Sequence, residues 1–177
     1  RQRGHPQHTT YDFVRAAGRS GRGAHRNSHD IFILFSMITY NTEDVKMPVF
    51  PKRKTSAWIK SVAALHGKTV GDIAYIFCSD EKILDVNRMY LQHDYYTDII
   101  TFDYSEDNMI SGDLFISLDT VCTNAEKFAV AYDSELYRVI IHGVLHLCGI
   151  DDKAPGARAV MERYENEALQ LLDTPAT

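Results

Sequence analysis

An α+β fold built on a mixed sheet is what this chain predicts, and three observations predict it. Apolar residues recur at helical spacing in several separate stretches, from Lys52 to His66 and again after Thr120. Ile73, Tyr75 and Phe77 alternate with Ala74 and Ile76, as in a strand covered on both faces. Two β-branched and aromatic runs flank a short polar turn near the middle of the chain, which is a hairpin signal. The expectation is one small domain with a sheet of about four strands packed against about five helices.

The elements follow in order. Met37 to Tyr40 reads as a short first strand, and Lys52 to His66 as a helix with Trp58, Val62 and Leu65 on one stripe and Gly67 as its stop. After the strand around Tyr75, Ser79 or Asp80 can cap the next helix, in which Ile83, Val86, Met89 and Tyr90 keep helical spacing. Thr97 to Tyr104 and Asp113 to Ser117 are the hairpin strands, joined across Ser105 to Asn108. Helices from Thr120 to Ala131, Ser134 to Cys148 and roughly Pro155 to Leu172 complete the chain.

Composition bounds the class. A chain of 177 residues that is 45% hydrophobic and 11% aromatic suits one domain with a sizeable core. No run approaches the roughly 18 apolar residues of a membrane span, so a membrane-spanning helix is not expected. Cys78, Cys122 and Cys148 are odd in number and lack C-x-x-C spacing, which argues against a disulfide framework and for the reducing cytoplasm.

Charge divides the chain. Residues 1–36 hold six Arg, two Asp and no Lys or Glu, a net +4, while the rest has 13 basic and 22 acidic residues, a net −9. The basic leader can be a targeting peptide, a nucleic-acid tail or residues translated upstream of the true start. It shows no amphipathic period before Ile31 to Phe35, and that stretch is too short for a secretory core of about 7 to 15 residues. It is therefore expected to be an upstream, mostly disordered extension that stands outside the fold.

The chemistry is concentrated near the C-terminus, in His142-Gly143-Val144-Leu145-His146-Leu147-Cys148-Gly149-Ile150-Asp151-Asp152. Histidines four apart share a helical face with Cβ atoms roughly 5 to 6 Å apart, so both can bring a nitrogen to within about 2.1 Å of one Zn²⁺. Gly149 can end the helix in the left-handed conformation. Asp152, three residues on, can then supply an oxygen from a third corner. Zinc peptidases of the H-E-x-x-H kind carry a glutamate after the first histidine as proton acceptor, and here that residue is Gly143. Cys148, two residues from His146, falls on another helical face and reads as a packing residue.

Around that motif the chain resembles the YbeY family, bacterial endoribonucleases also described as rRNA maturation factors, from about Met37 to Leu172. Val86-Asn87-Arg88-Met89-Tyr90-Leu91-Gln92-His93-Asp94-Tyr95-Tyr96-Thr97-Asp98-Ile99-Ile100-Thr101-Phe102 matches the central block of that family. Gly112 to Ser117 is similar to its G-D-I-x-I-S strand, His142 to Asp152 to its H-G-x-L-H-L-x-G-Y-D-H motif, and Met161 to Glu165 to its M-x-x-x-E helix. The resemblance implies a zinc-dependent endoribonuclease specific for single strands, acting in ribosomal RNA maturation with RNA and the small ribosomal subunit as partners.

Two positions depart from the family pattern. Asp152 stands where the family has its last histidine, giving two imidazoles and one carboxylate, an established zinc set. The anionic carboxylate makes the metal a weaker Lewis acid. Leu91 stands where the family has an arginine implicated in catalysis, and a leucine cannot hold a phosphate. A zinc-bound water at His142, His146 and Asp152 can ionise near neutral pH and attack a phosphodiester, with the general base unidentified.

Other residues are candidates for support. Asp98 and Asp113 can orient a ligand histidine from the second shell. Lys52, Arg53, Lys54 and Arg88 are the candidate RNA contacts, since a body at −9 repels a polyanion unless its cations are gathered. The alternatives are a non-catalytic ribosome-assembly or binding protein with a structural zinc and, further off, a metallopeptidase.

Overall fold

A computed structural model of the chain describes residues 12–15, as backbone, and residues 36–173. Within 37–173 the sheet has the four expected strands: β2 (Ile38–Thr42), β3 (Thr69–Cys78), β4 (Ile99–Asp103) and β5 (Met109–Ser117). Asp12–Arg15 of the leader joins them as β1, paired in parallel with Ile100–Asp103 of β4. The strand order is β1-β4-β5-β3-β2, with the β4/β5 hairpin antiparallel and the other pairings parallel. The remaining leader, including Ile31 to Phe35, lies outside the described residues, and so does the expectation that it is disordered.

The helices are α1 (Lys52–Leu65), α2 (Asp80–Val86), α3 (Leu118–Phe128), α4 (Tyr132–Leu147) and α5 (Ala157–Asp173). Capping explains several boundaries. The Ser79 hydroxyl accepts from the Lys82 amide at 3.2 Å and the Ser117 hydroxyl from the Thr120 amide at 3.2 Å, each satisfying an orphan N–H of the helix it opens. Helix α1 ends at Gly67, whose φ of +70° suits a residue without a side chain.

Helix α4 is the central element, buried without a break from Val139 to Leu147. It lies against β4 and β5 on one side and α1, α3 and α5 on the others. Gly143 allows this closeness. A Cβ there would overlap Leu114 Cδ2 and come within 2.8 Å of Ile99 Cδ1. Two buried polar links hold the layers in register: Tyr75 donates to the Ile140 carbonyl at 3.2 Å, and Trp58 Nε1 to the Ala168 carbonyl at 2.7 Å. Each satisfies a group that burial would otherwise leave costly.

Two expectations need correction. Helical spacing puts Leu65 on the buried stripe of α1, but it is 70% exposed, and Thr55, Ile59 and Ala63 join Trp58 and Val62 inside. Met89 and Tyr90 were placed on the apolar face of the helix after Ser79, yet they are 71% and 62% exposed. The cause is local. The chain passes from α2 into one π-helical turn, Asn87–Leu91, which ends with Gln92 at φ +56°. A π turn adds a residue per hydrogen-bonded ring, so the face that carries Ile83 and Val86 inward is rotated by the time Met89 is reached.

Candidate metal centre

The site is assembled from α4 and the turn after it. His142 and His146 stand one above the other on α4, both buried, with ring centroids 4.5 Å apart. The helix closes at Cys148. Gly149, at φ +91°, then turns the chain back so that Asp152 points toward the imidazoles. Asp152 Oδ2 is 3.6 Å from His142 Nε2, and Asp152 Oδ1 is 3.6 Å from His146 Nε2. Those separations exceed a hydrogen bond and leave Asp152 Oδ1 buried without a hydrogen-bond partner.

Three ligand atoms, one from each residue, lie within 4.8 Å of one another, the spacing of donors around a shared cation. The donor set of two imidazoles and a carboxylate therefore fits a divalent transition metal.

Electrostatics favour the neutral imidazole of His142 and the ionised carboxylate of Asp152. Burial pushes the His142 imidazole down to about 4, against the opposing pull of Glu165, so it is neutral at physiological pH. Burial works to raise the Asp152 carboxyl, but His146, His142 and Arg158 outweigh it and hold it below the usual carboxylate range.

Glu165, on α5, orients the first histidine. His142 Nδ1 lies 2.6 Å from Glu165 Oε1, an arrangement in which Nδ1–H donates to the carboxylate and the Nε2 lone pair faces Asp152. Glu165 is itself held by Arg138 Nη1 at 2.9 Å, and Arg138 Nη2 reaches Asn166 Oδ1 at 2.9 Å. The signal was present as the M-x-x-x-E helix, but nothing local connects position 165 to position 142.

The two aspartates offered for that orienting task find partners elsewhere. The Asp98 carboxylate accepts from Asn124 Nδ2 at 3.4 Å in a fully buried position, where desolvation and then Glu135 raise it well above the ordinary range. Asp113 accepts from the Tyr104 hydroxyl at 3.2 Å. Asp151 braces the turn, its carboxylate accepting from the Lys153 and Ala154 amides at 3.0 and 3.1 Å.

A cleft of about 510 Å³ opens beside His146 and Asp152, lined also by Lys68, Lys153, Asp103 and Ser105. None of the four cations proposed as RNA contacts lines it. Lys52, Arg53 and Lys54 open α1, whereas Lys68 follows its C-terminal end, about 20 Å away at 1.5 Å per helical residue. Arg88 Nε is 2.6 Å from Asp94 Oδ1. Leu91 is half-buried against the cluster of Cys78, Ile83, Val86 and Ile100.

Comparison with known proteins places these observations. A family profile described as Endoribonuclease YbeY matches residues 37–173. The Endoribonuclease YbeY of Bacteroides thetaiotaomicron is 69% identical over 134 residues, which cover 76% of this chain and 98% of that protein. The Phocaeicola vulgatus protein of the same name is 70% identical over 136 residues, covering 77% of this chain and 99% of its own. A Thermotoga maritima protein solved in solution shares the fold, with a TM-score of 0.53 and 23% identity over 76% of this chain and 91% of that one.

Proposed function

From the premise that the chain belongs to the endoribonuclease YbeY family, we propose that it is a zinc-dependent endoribonuclease specific for single-stranded RNA. Its setting is ribosomal RNA maturation and small-subunit assembly in the cytoplasm. The observation that carries the reading is the convergence of His142, His146 and Asp152 beside an open cleft.

Zinc held by those three residues would supply Lewis acidity to a phosphoryl oxygen and lower the pKa of water toward neutrality. The chain's own residues supply the rest. Glu165 keeps His142 in the tautomer whose Nε2 faces the cation, and Arg138 holds Glu165. Burial of both imidazoles fixes their angles, and at His142 it disfavours the proton that would compete with a metal. The cleft gives an extended single strand access on the His146 side, where Lys68 and Lys153 offer cations to neighbouring phosphates.

Three ligands among the described residues favour this over a structural zinc, because structural sites close with four protein ligands and catalytic sites keep one position open. A peptidase of the H-E-x-x-H kind is disfavoured by packing as well as by sequence. Position 143 faces Leu114 and Ile99 of the sheet, so no glutamate fits there.

Zinc-loaded protein should cut a single-stranded RNA and leave the matching duplex intact. Cleavage should stop on chelation, return with zinc, and be lost in His146→Ala together with the metal. Cutting that survives both chelation and His146→Ala would refute the reading.

A further inference from the structure

Arg158 stands in the first turn of α5, outside every motif considered so far, yet its guanidinium is directed at the metal centre. Nη1 is 3.6 Å from Asp152 Oδ2, the same oxygen that stands 3.6 Å from His142 Nε2. Its side chain is 31% exposed beside an Asp152 side chain that is 5% exposed, so it reaches from solvent to the ligand shell. Its distance from Asp152 is too long for a bidentate fork, and the contact is one of charge.

The surroundings call for a cation at that point. Asp98 and Glu135 are both buried, each with one carboxylate oxygen that has no hydrogen-bond partner, and the Arg158 charge acts on both as well as on Asp152. A phosphodiester approaching the centre meets the Asp152 carboxylate, and Arg158 is the cation beside it. Lys68 and Lys153 line the cleft beside His146, whereas Arg158 stands beside Asp152 Oδ2 itself.

We infer that Arg158 is the residue that holds the scissile phosphate at the His142–His146–Asp152 centre, placing its guanidinium on a nonbridging oxygen beside the cation. The inference rests on the nuclease reading, and it adds a substrate contact that the ligand set itself does not provide. A planar guanidinium matches two phosphate oxygens at once, and a donor placed where charge develops is worth on the order of a hundredfold in rate.

The test uses the full chain, zinc-loaded, as Arg158→Gln and Arg158→Lys, with metal content, melting temperature, kcat, KM and binding of a fluorescent single-stranded RNA measured for each. Arg158→Gln should keep its zinc, bind the RNA several-fold more weakly and lose on the order of a hundredfold in kcat, with Arg158→Lys recovering part of the loss. If Arg158 serves only to neutralise the buried acids, Arg158→Gln will melt lower or shed zinc while kcat per bound zinc and RNA affinity stay at the wild-type value, and the inference falls. Should the wild type cut no RNA, the nuclease reading fails separately. Weaker RNA binding by Arg158→Gln at equal zinc content then still upholds the phosphate contact, and unchanged binding overturns it.

Discussion

Asp151 and Asp152 are adjacent and chemically identical, and the turn gives them opposite tasks. The first spends its carboxylate on two backbone amides, and the second turns a nearly buried carboxylate toward two imidazoles. Asp152→Ala should therefore lower zinc affinity by more than the roughly 10- to 100-fold typical of losing an outer-shell partner. Asp151→Ala should leave stoichiometry intact and loosen only the turn. Zinc titration of both variants decides it, and the opposite ranking would move the third ligand to Asp151. The convergence of His142, His146 and Asp152 was legible in the sequence because they sit within one helix and its following turn. Glu165 was not, since a contact between residues 142 and 165 depends on how α5 docks against α4.

At the scale of elements, α4 is constrained on two sides. Toward α5 it presents the polar row Arg138 and His142, and toward the sheet it presents Gly143. Gly143→Ala would normally strengthen a helix by about 1 kcal/mol. Here the added methyl must displace the fully packed ends of Leu114 and Ile99, an overpacking cost of about 1–3 kcal/mol. The net expectation is a melting temperature lowered by a few degrees. An unchanged or higher value would show that the sheet yields more easily than its burial implies. Helical periodicity located all five helices, but it failed at Met89 and Tyr90, because a π turn breaks the very period from which the buried face is read.

Over the whole molecule, the four-stranded sheet with its helices coincides with the span matched by the family profile, and β1 is an addition at its edge. Removing residues 1–36 should leave zinc content and cleavage unchanged. The melting temperature should shift by no more than a few degrees, since among the described residues the leader contributes a four-residue ladder. Loss of metal or a collapse of stability would make the leader part of the core. The strand types were legible from alternation and from the hairpin turn. Their lateral order was not, because a parallel neighbour such as β1 can come from anywhere in the chain, and no local pattern marks its partner.

The place of β1 in the sheet has a consequence for the order in which the protein is made. Asp12 is paired with Ile100, so β1 leaves the ribosome well before its partner exists. At about 5–20 residues per second, the roughly 90 intervening residues take several seconds to synthesise. During that interval β2 and β3 emerge, and they lie on the far side of the sheet, beyond β5. The first of the described strands thus waits for β4 before it can pair. Once paired, β1 covers the outward-facing amides and carbonyls of β4, which would otherwise be open to another chain.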